Sequence, residues 1–183
     1  MQISGRLIIA IVLILAVAMS GGAWLYQYGY SRHAAAFWGA PAARLIIKSP
    51  RLDLMELGPA GADSDQEDGE KERIAGQLVA TKHDLSSKPG LIHLRHVFTQ
   101  DSNFDWAAQR REPAAGSRDW GYALCFADGD QQLLVLLDRD FKLAGRLSAD
   151  GQQVDLLPCP RLATPLIRYL TDVGALPAST PAE

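Results

Sequence analysis

The sequence predicts an α+β protein, with an N-terminal transmembrane helix followed by a small antiparallel β-meander sheet packed by two helices. Three observations carry this expectation. Leu7–Met19 is an unbroken apolar run. From Tyr122 to Leu157 short apolar stretches are punctuated by Asp-Gly pairs, the pattern of hairpin turns. Leu91–Asp101 and Pro165–Val173 repeat apolar residues at helical spacing.

The N-terminal stretch comes first. Ser20–Leu25 extend the apolar run without a charge, toward the roughly 20 residues a helix needs to cross a bilayer. Trp24, Tyr26, Tyr28 and Tyr30 follow, rings of the kind that gather at a lipid–water boundary. A cleaved signal peptide is the rival reading, with Arg6 as its basic start and a cut after Ser20. The aromatic belt favours a retained signal anchor, because a leader has no use for it. Arg6 and the α-amino group on one side nearly balance Arg32, Arg44 and Lys48 on the other, and the short N-terminal tail favours an extracytoplasmic domain. The expected localisation is therefore a membrane, single-pass, with the lipid bilayer as partner.

The rest divides by composition. Residues 1–30 form the anchor, 31–42 a juxtamembrane segment ending near Pro41, 43–176 an α+β domain, and 177–183 a disordered tail. Ala43–Lys48 and Arg51–Leu57 read as short strands. Gly58–Glu72 is small, acidic and without bulky apolar residues, so it reads as a solvated loop. Counted from Asp63, its DSDQEDG stretch puts Asp68 and Ile74 at the sixth and twelfth places, where a calcium loop needs glycine and glutamate. Ile74–Leu85 resumes as a strand, and Ser86–Pro89 opens the helix that follows. On that helix Leu91, Leu94, Val97 and Phe98 share one side, and His93 and His96 the other. Ala107–Asp119 is a second polar loop. Tyr122–Asp128 and Gln132–Leu137 form a hairpin about Asp128-Gly129, and Phe141–Ser148 with Gln152–Leu157 a second about Asp150-Gly151. Thr164-Pro165 starts the last helix and Gly174 ends it.

Composition bounds the function. The net charge of −3 comes with no basic stripe, which argues against nucleic acid. No Gly-x-Ser-x-Gly elbow, phosphate-cradling glycine loop or Cys-x-x-Cys occurs. His93 and His96, three apart on a helix, with His83 on the preceding strand, are the candidate metal ligands, and zinc is the ion they would take. Exposed histidines on an amphipathic helix are the plain alternative. Asp128 and Asp138 lie at opposite ends of one strand, about 20 Å apart, too far for a carboxylate pair. Cys125 and Cys159 would pair if the domain faces an oxidising compartment, or else are two buried thiols.

RIAGQLVATKHDLS, FTQDSNFDW and ALCFADGDQQLLVLLD together resemble an uncharacterised bacterial class of small membrane-anchored α+β domains of unknown function. The resemblance implies strand, helix, polar insertion, meander and final helix over Arg44 to Leu176. It brings no activity. Asp138-Arg139-Asp140-Phe141 stands where such domains carry a cysteine, which speaks against a thiol-based role. The expected function is a membrane-anchored, non-catalytic domain that binds or scaffolds an unknown protein partner at the cell envelope. The alternative is a metal-binding protein or hydrolase using His83, His93 and His96.

Overall fold

A computed structural model describes residues 5–30, 32–59, 72–114, 118–148 and 150–177. Within the first helix the described side chains are Ile9 and those of residues 11–24. The expected loop over Gly58–Glu72 and the expected tail lie mostly outside the described residues.

Eight strands form one curled antiparallel sheet in the order β2-β3-β1-β5-β6-β7-β8-β4. They are β1 (Arg51–Leu57), β2 (Arg73–Ile74), β3 (Gln77–Asp84), β4 (Arg110–Pro113), β5 (Tyr122–Asp128), β6 (Gln131–Leu137), β7 (Leu143–Leu147) and β8 (Gln153–Pro158). The helices are α1 (Gly5–Tyr30), α2 (Arg32–Trp38), α3 (Ala40–Lys48), α4 (Leu91–Val97) and α5 (Ala163–Asp172).

The sheet buries both faces. Leu52, Leu54, Leu124, Phe126, Val135 and Leu137 point to the helix-covered side, where Trp38, Ile46, Phe98 and Leu166 meet them. Met55, Leu57, Ala123, Leu136 and Leu156 point the other way and enclose Trp120. Period-two alternation along β1 and β5 decides which residue goes where. A sheet buried on both sides reads as near-continuous apolar sequence. QLLVLL in β6 is the example.

Several expectations need correction. Ala43–Lys48 was expected as a strand and is the end of α3. Pro41 starts this helix rather than ending one, since its missing N–H costs nothing in a first turn, and Gly39 at φ 76° turns the chain into it. Leu45 and Ile46 then share the buried face. The expected polar loop after Ala107 contains β4, which pairs with β8 through Arg110↔Leu156 and Glu112↔Val154. Proline and charge are typical of an edge strand, and they hid it. Asp128 pairs with Gln131, so the two-residue turn is Gly129-Asp130, one position later than expected. The sheet has eight strands rather than a short meander, and α2 and α3 join α4 and α5 in covering it.

The transmembrane expectation is also corrected. Among the described residues no helix is long and apolar enough to cross a membrane. α1 runs Gly5–Tyr30. Ser20-Gly21-Gly22 interrupts its apolar part. The readings as a single-pass segment and a signal anchor fall with it. What α1 does show is exposure: Ile9, Ile11, Val12, Leu13, Ile14, Leu15, Val17 and Met19 all face outward.

Two tight places carry the sheet's energetics. A side chain on Gly145 would meet Val154 Cγ1 at 2.6 Å and Trp120 Cη2 at 2.8 Å, so the indole lies directly on the β7 backbone. Gln77 holds the same indole's residue in place: its Nε2 donates to the Trp120 carbonyl at 2.9 Å and its Oε1 accepts from the Trp120 N–H at 2.7 Å. On the other face Asp155 accepts from Arg111 Nε at 2.5 Å and from Arg146 Nη2 at 2.8 Å. Arg146 also donates to the Trp38 carbonyl at 2.9 Å and lies over the Phe37 ring. One guanidinium thus ties β7, β8 and α2 together.

Two outcomes follow. Gly145→Ala should destabilise the fold by about 1–3 kcal/mol through overpacking, read as a lower urea midpoint. An unchanged midpoint would mean Trp120 is not seated on Gly145. The Arg111 and Arg146 bonds hold the Asp155 carboxyl below its ordinary value of 3.8. A depressed carboxyl contributes stability above its unfolded pKa and loses it as pH falls through the folded one. Asp155→Asn should therefore cost about 2–3 kcal/mol at neutral pH. The gap to the native chain should close as the pH drops below 3.8.

Candidate functional site

The histidines do not form a centre. His93 and His96 are both exposed on α4, while half-buried His83 lies on β3 opposite Leu54. Among the described residues no three His, Cys, Asp or Glu side chains are grouped to hold a metal ion. Three or four converging ligands are the minimum for zinc, so helical spacing brought His93 and His96 together without supplying a third. His83 instead lines a small polar cleft of about 280 Å³ with Lys82, Asp84 and Lys88. Two of its charges are engaged: Lys82 lies 3.4 Å from Asp53, and the bond from Ser86 holds Asp84 below the usual carboxylate range.

The cysteines are separated by the sheet itself. Cys125 faces the Trp120 side and Cys159 the helix-covered side. Both are free and buried, the second of the two readings open in the sequence. Burial pushes the Cys159 thiol up to about 12 and raises Cys125 as well, with Asp53 adding to the latter. A nucleophilic thiol needs the opposite shift, toward the thiolate.

A wider concave feature than the His83 cleft lies beside the start of α2. It is an open groove of about 550 Å³ lined by His33, Ala36, Phe37, Trp106, Ala107 and Gln109. A carboxylate from far along the chain builds it. Asp101 Oδ1 accepts from the Ala34 N–H at 2.7 Å, and Oδ2 from the His33 N–H at 2.9 Å. His33 Nδ1 sits 3.0 Å from the same oxygen. These are the orphan amides of a helix start, and an acceptor there is what such a helix requires. The Asp101 carbonyl accepts from Trp106 Nε1 at 2.9 Å, and Trp38 Nε1 donates to the Phe98 carbonyl at 2.8 Å. His33 then lies against Trp106 with ring centres 5.5 Å apart. Phe37 meets both Trp38 and Trp106 edge-on. The groove therefore has an aromatic floor and a polar lip of His33 and Gln109.

A second buried set brackets α3. Arg95 on α4 donates to the carbonyls of Ile47 at 3.0 Å and Ser49 at 2.5 Å, satisfying the end of that helix. Arg95 Nε, Ser49 Oγ and Tyr169 Oη are buried without hydrogen-bond partners.

Sequence reading missed the groove. Its rings come from Phe37 and Trp106, and the His33–Asp101 link that joins their segments spans 68 residues. No local spacing signals such a contact. The aspartate of TQDSN was read only as the end of a helix.

Removing the Asp101 carboxylate with Asp101→Ala should cost about 1–2 kcal/mol, the range for losing a helix cap, measured by chemical denaturation. Thiol labelling under denaturing, non-reducing conditions should find two free thiols, and under native conditions very slow reaction at both. A protected pair in the unfolded chain would contradict the two-faced placement.

No family model, curated protein or solved structure matches this chain, so the functional reading rests on its own residues.

Proposed function

We propose that this chain is a non-catalytic binding or scaffolding domain that works at a lipid surface of the cell envelope, held there by its exposed apolar helix. The observation that supports this most is α1. Five consecutive apolar side chains, Ile11 to Leu15, all lie exposed, with Ile9, Val17 and Met19 beyond them. Consecutive positions point around the whole helix, so the exposure has no polar side, and a helix apolar all round needs cover on every side. Lipid chains supply such cover without specific complementarity. The aromatic residues at the helix's C-terminal end suit the boundary between lipid and water. The metal or hydrolase alternative would need His83, His93 and His96 in one place, and no observation favours it.

Each apolar side chain contributes about 1.5–3 kcal/mol on leaving water, so two acidic replacements should weaken lipid partitioning at least about a hundredfold. In a density gradient with phosphatidylcholine–phosphatidylglycerol vesicles, the full chain should float. The Ile11→Asp, Leu15→Asp variant should stay at the bottom while keeping its near-ultraviolet circular dichroism. A full chain that stays at the bottom would refute the reading.

A further inference from the structure

We infer that the groove of His33, Phe37, Trp106 and Gln109 is the part of the folded domain that touches lipid headgroups when α1 is in contact with a bilayer; this rests on the lipid reading of α1. The last residue of α1 is Tyr30, and His33 follows three residues later. Three residues extend at most about 11 Å. The Asp101 carboxylate fastens His33 to the domain by its backbone, and Trp106 is held by the carbonyl of the same Asp101. The groove thus cannot retreat from the end of α1 by more than a few residues of chain. The headgroup layer of a bilayer is about 5–8 Å deep on each side, comparable to that reach.

The lining matches that layer. With the Trp106 N–H and His33 Nδ1 turned to Asp101, the two rings offer their faces, and aromatic rings of this kind gather at a lipid–water boundary. Phe37 and Trp106 give the apolar floor, His33 and Gln109 the polar lip, and Arg32 beside them is exposed, available to a phosphate. Open, shallow and at the domain's junction with α1, the groove has the form of a surface contact rather than an enclosed site.

The test uses the full chain carrying Trp24→Phe. Of the three tryptophans left, Trp38 is 2% exposed and Trp120 0%, so Trp106 is the one a headgroup quencher can reach. On floated vesicles containing a lipid spin-labelled at its headgroup, about a third of the tryptophan emission should be lost relative to unlabelled vesicles. A bimane label at Gln109→Cys, an exposed position on the lip, should shift to the blue on vesicle addition and gives a reading independent of Trp106. Chain that floats with neither quenching nor a shift would overturn this placement and leave the lipid reading of α1 standing. Chain that does not float would overturn both.

Discussion

The carboxylate of Asp101 is the fastening on which the N-terminal half of the structure depends. Without an acceptor there, the first amides of α2 would be orphaned, and the short helix carrying Phe37 and Trp38 would lose its start. Seven residues are too few to hold a helix by propensity alone. What holds α2 is tertiary. Asp101 binds its beginning, Arg146 binds the carbonyl of Trp38 at its end, and Phe98 accepts from the Trp38 indole between them. The chain then turns at Gly39 into α3, whose own end is closed by Arg95. The start and end of α2 and the end of α3 are each satisfied by a side chain from a distant segment.

The same economy shapes the sheet. Buried polar residues are few among the described residues, and three of them, Gln77, Asp155 and Asp53, serve a connection. Gln77 clamps the backbone of Trp120, and Asp155 joins two arginines on neighbouring elements. Asp53, fully buried on β1, is met by Arg51 and Lys82. Such groups stabilise little against an apolar replacement, but breaking one partner leaves the other unpaired. The cysteines contribute volume alone. Both thiols are shifted away from the reactive thiolate, and the sheet stands between them.

Much of the sheet was legible in the sequence, because alternation and glycine turns are local signals. Tyr122–Asp128 and the hairpin closed at Gly151 lie close to where the pattern put them. Where the sequence misled, a non-local cause prevailed. ARLIIK carries β-branched residues but folds as helix because Gly39 and Pro41 set its start and the sheet receives one face. RREP is charged and proline-bearing, yet β8 recruits it as an edge. The apolar run near the N-terminus was read as a crossing segment, and the described helix falls short of one while remaining exposed. The histidine candidates rested on spacing along one helix, which says nothing of a third ligand. The groove depends on a contact across 68 residues and left no local trace.

One coupling is central: Asp101 fastens the sheet domain to α2, which follows the exposed apolar helix α1 in the chain. Native-state hydrogen exchange at the amides of His33 and Ala34 tests it most directly. Both amides should exchange slowly, with protection lost in Asp101→Ala while the amides of β5 and β6 keep theirs. Exchange at His33 and Ala34 as fast as in an unstructured peptide would show that the fastening does not exist in solution.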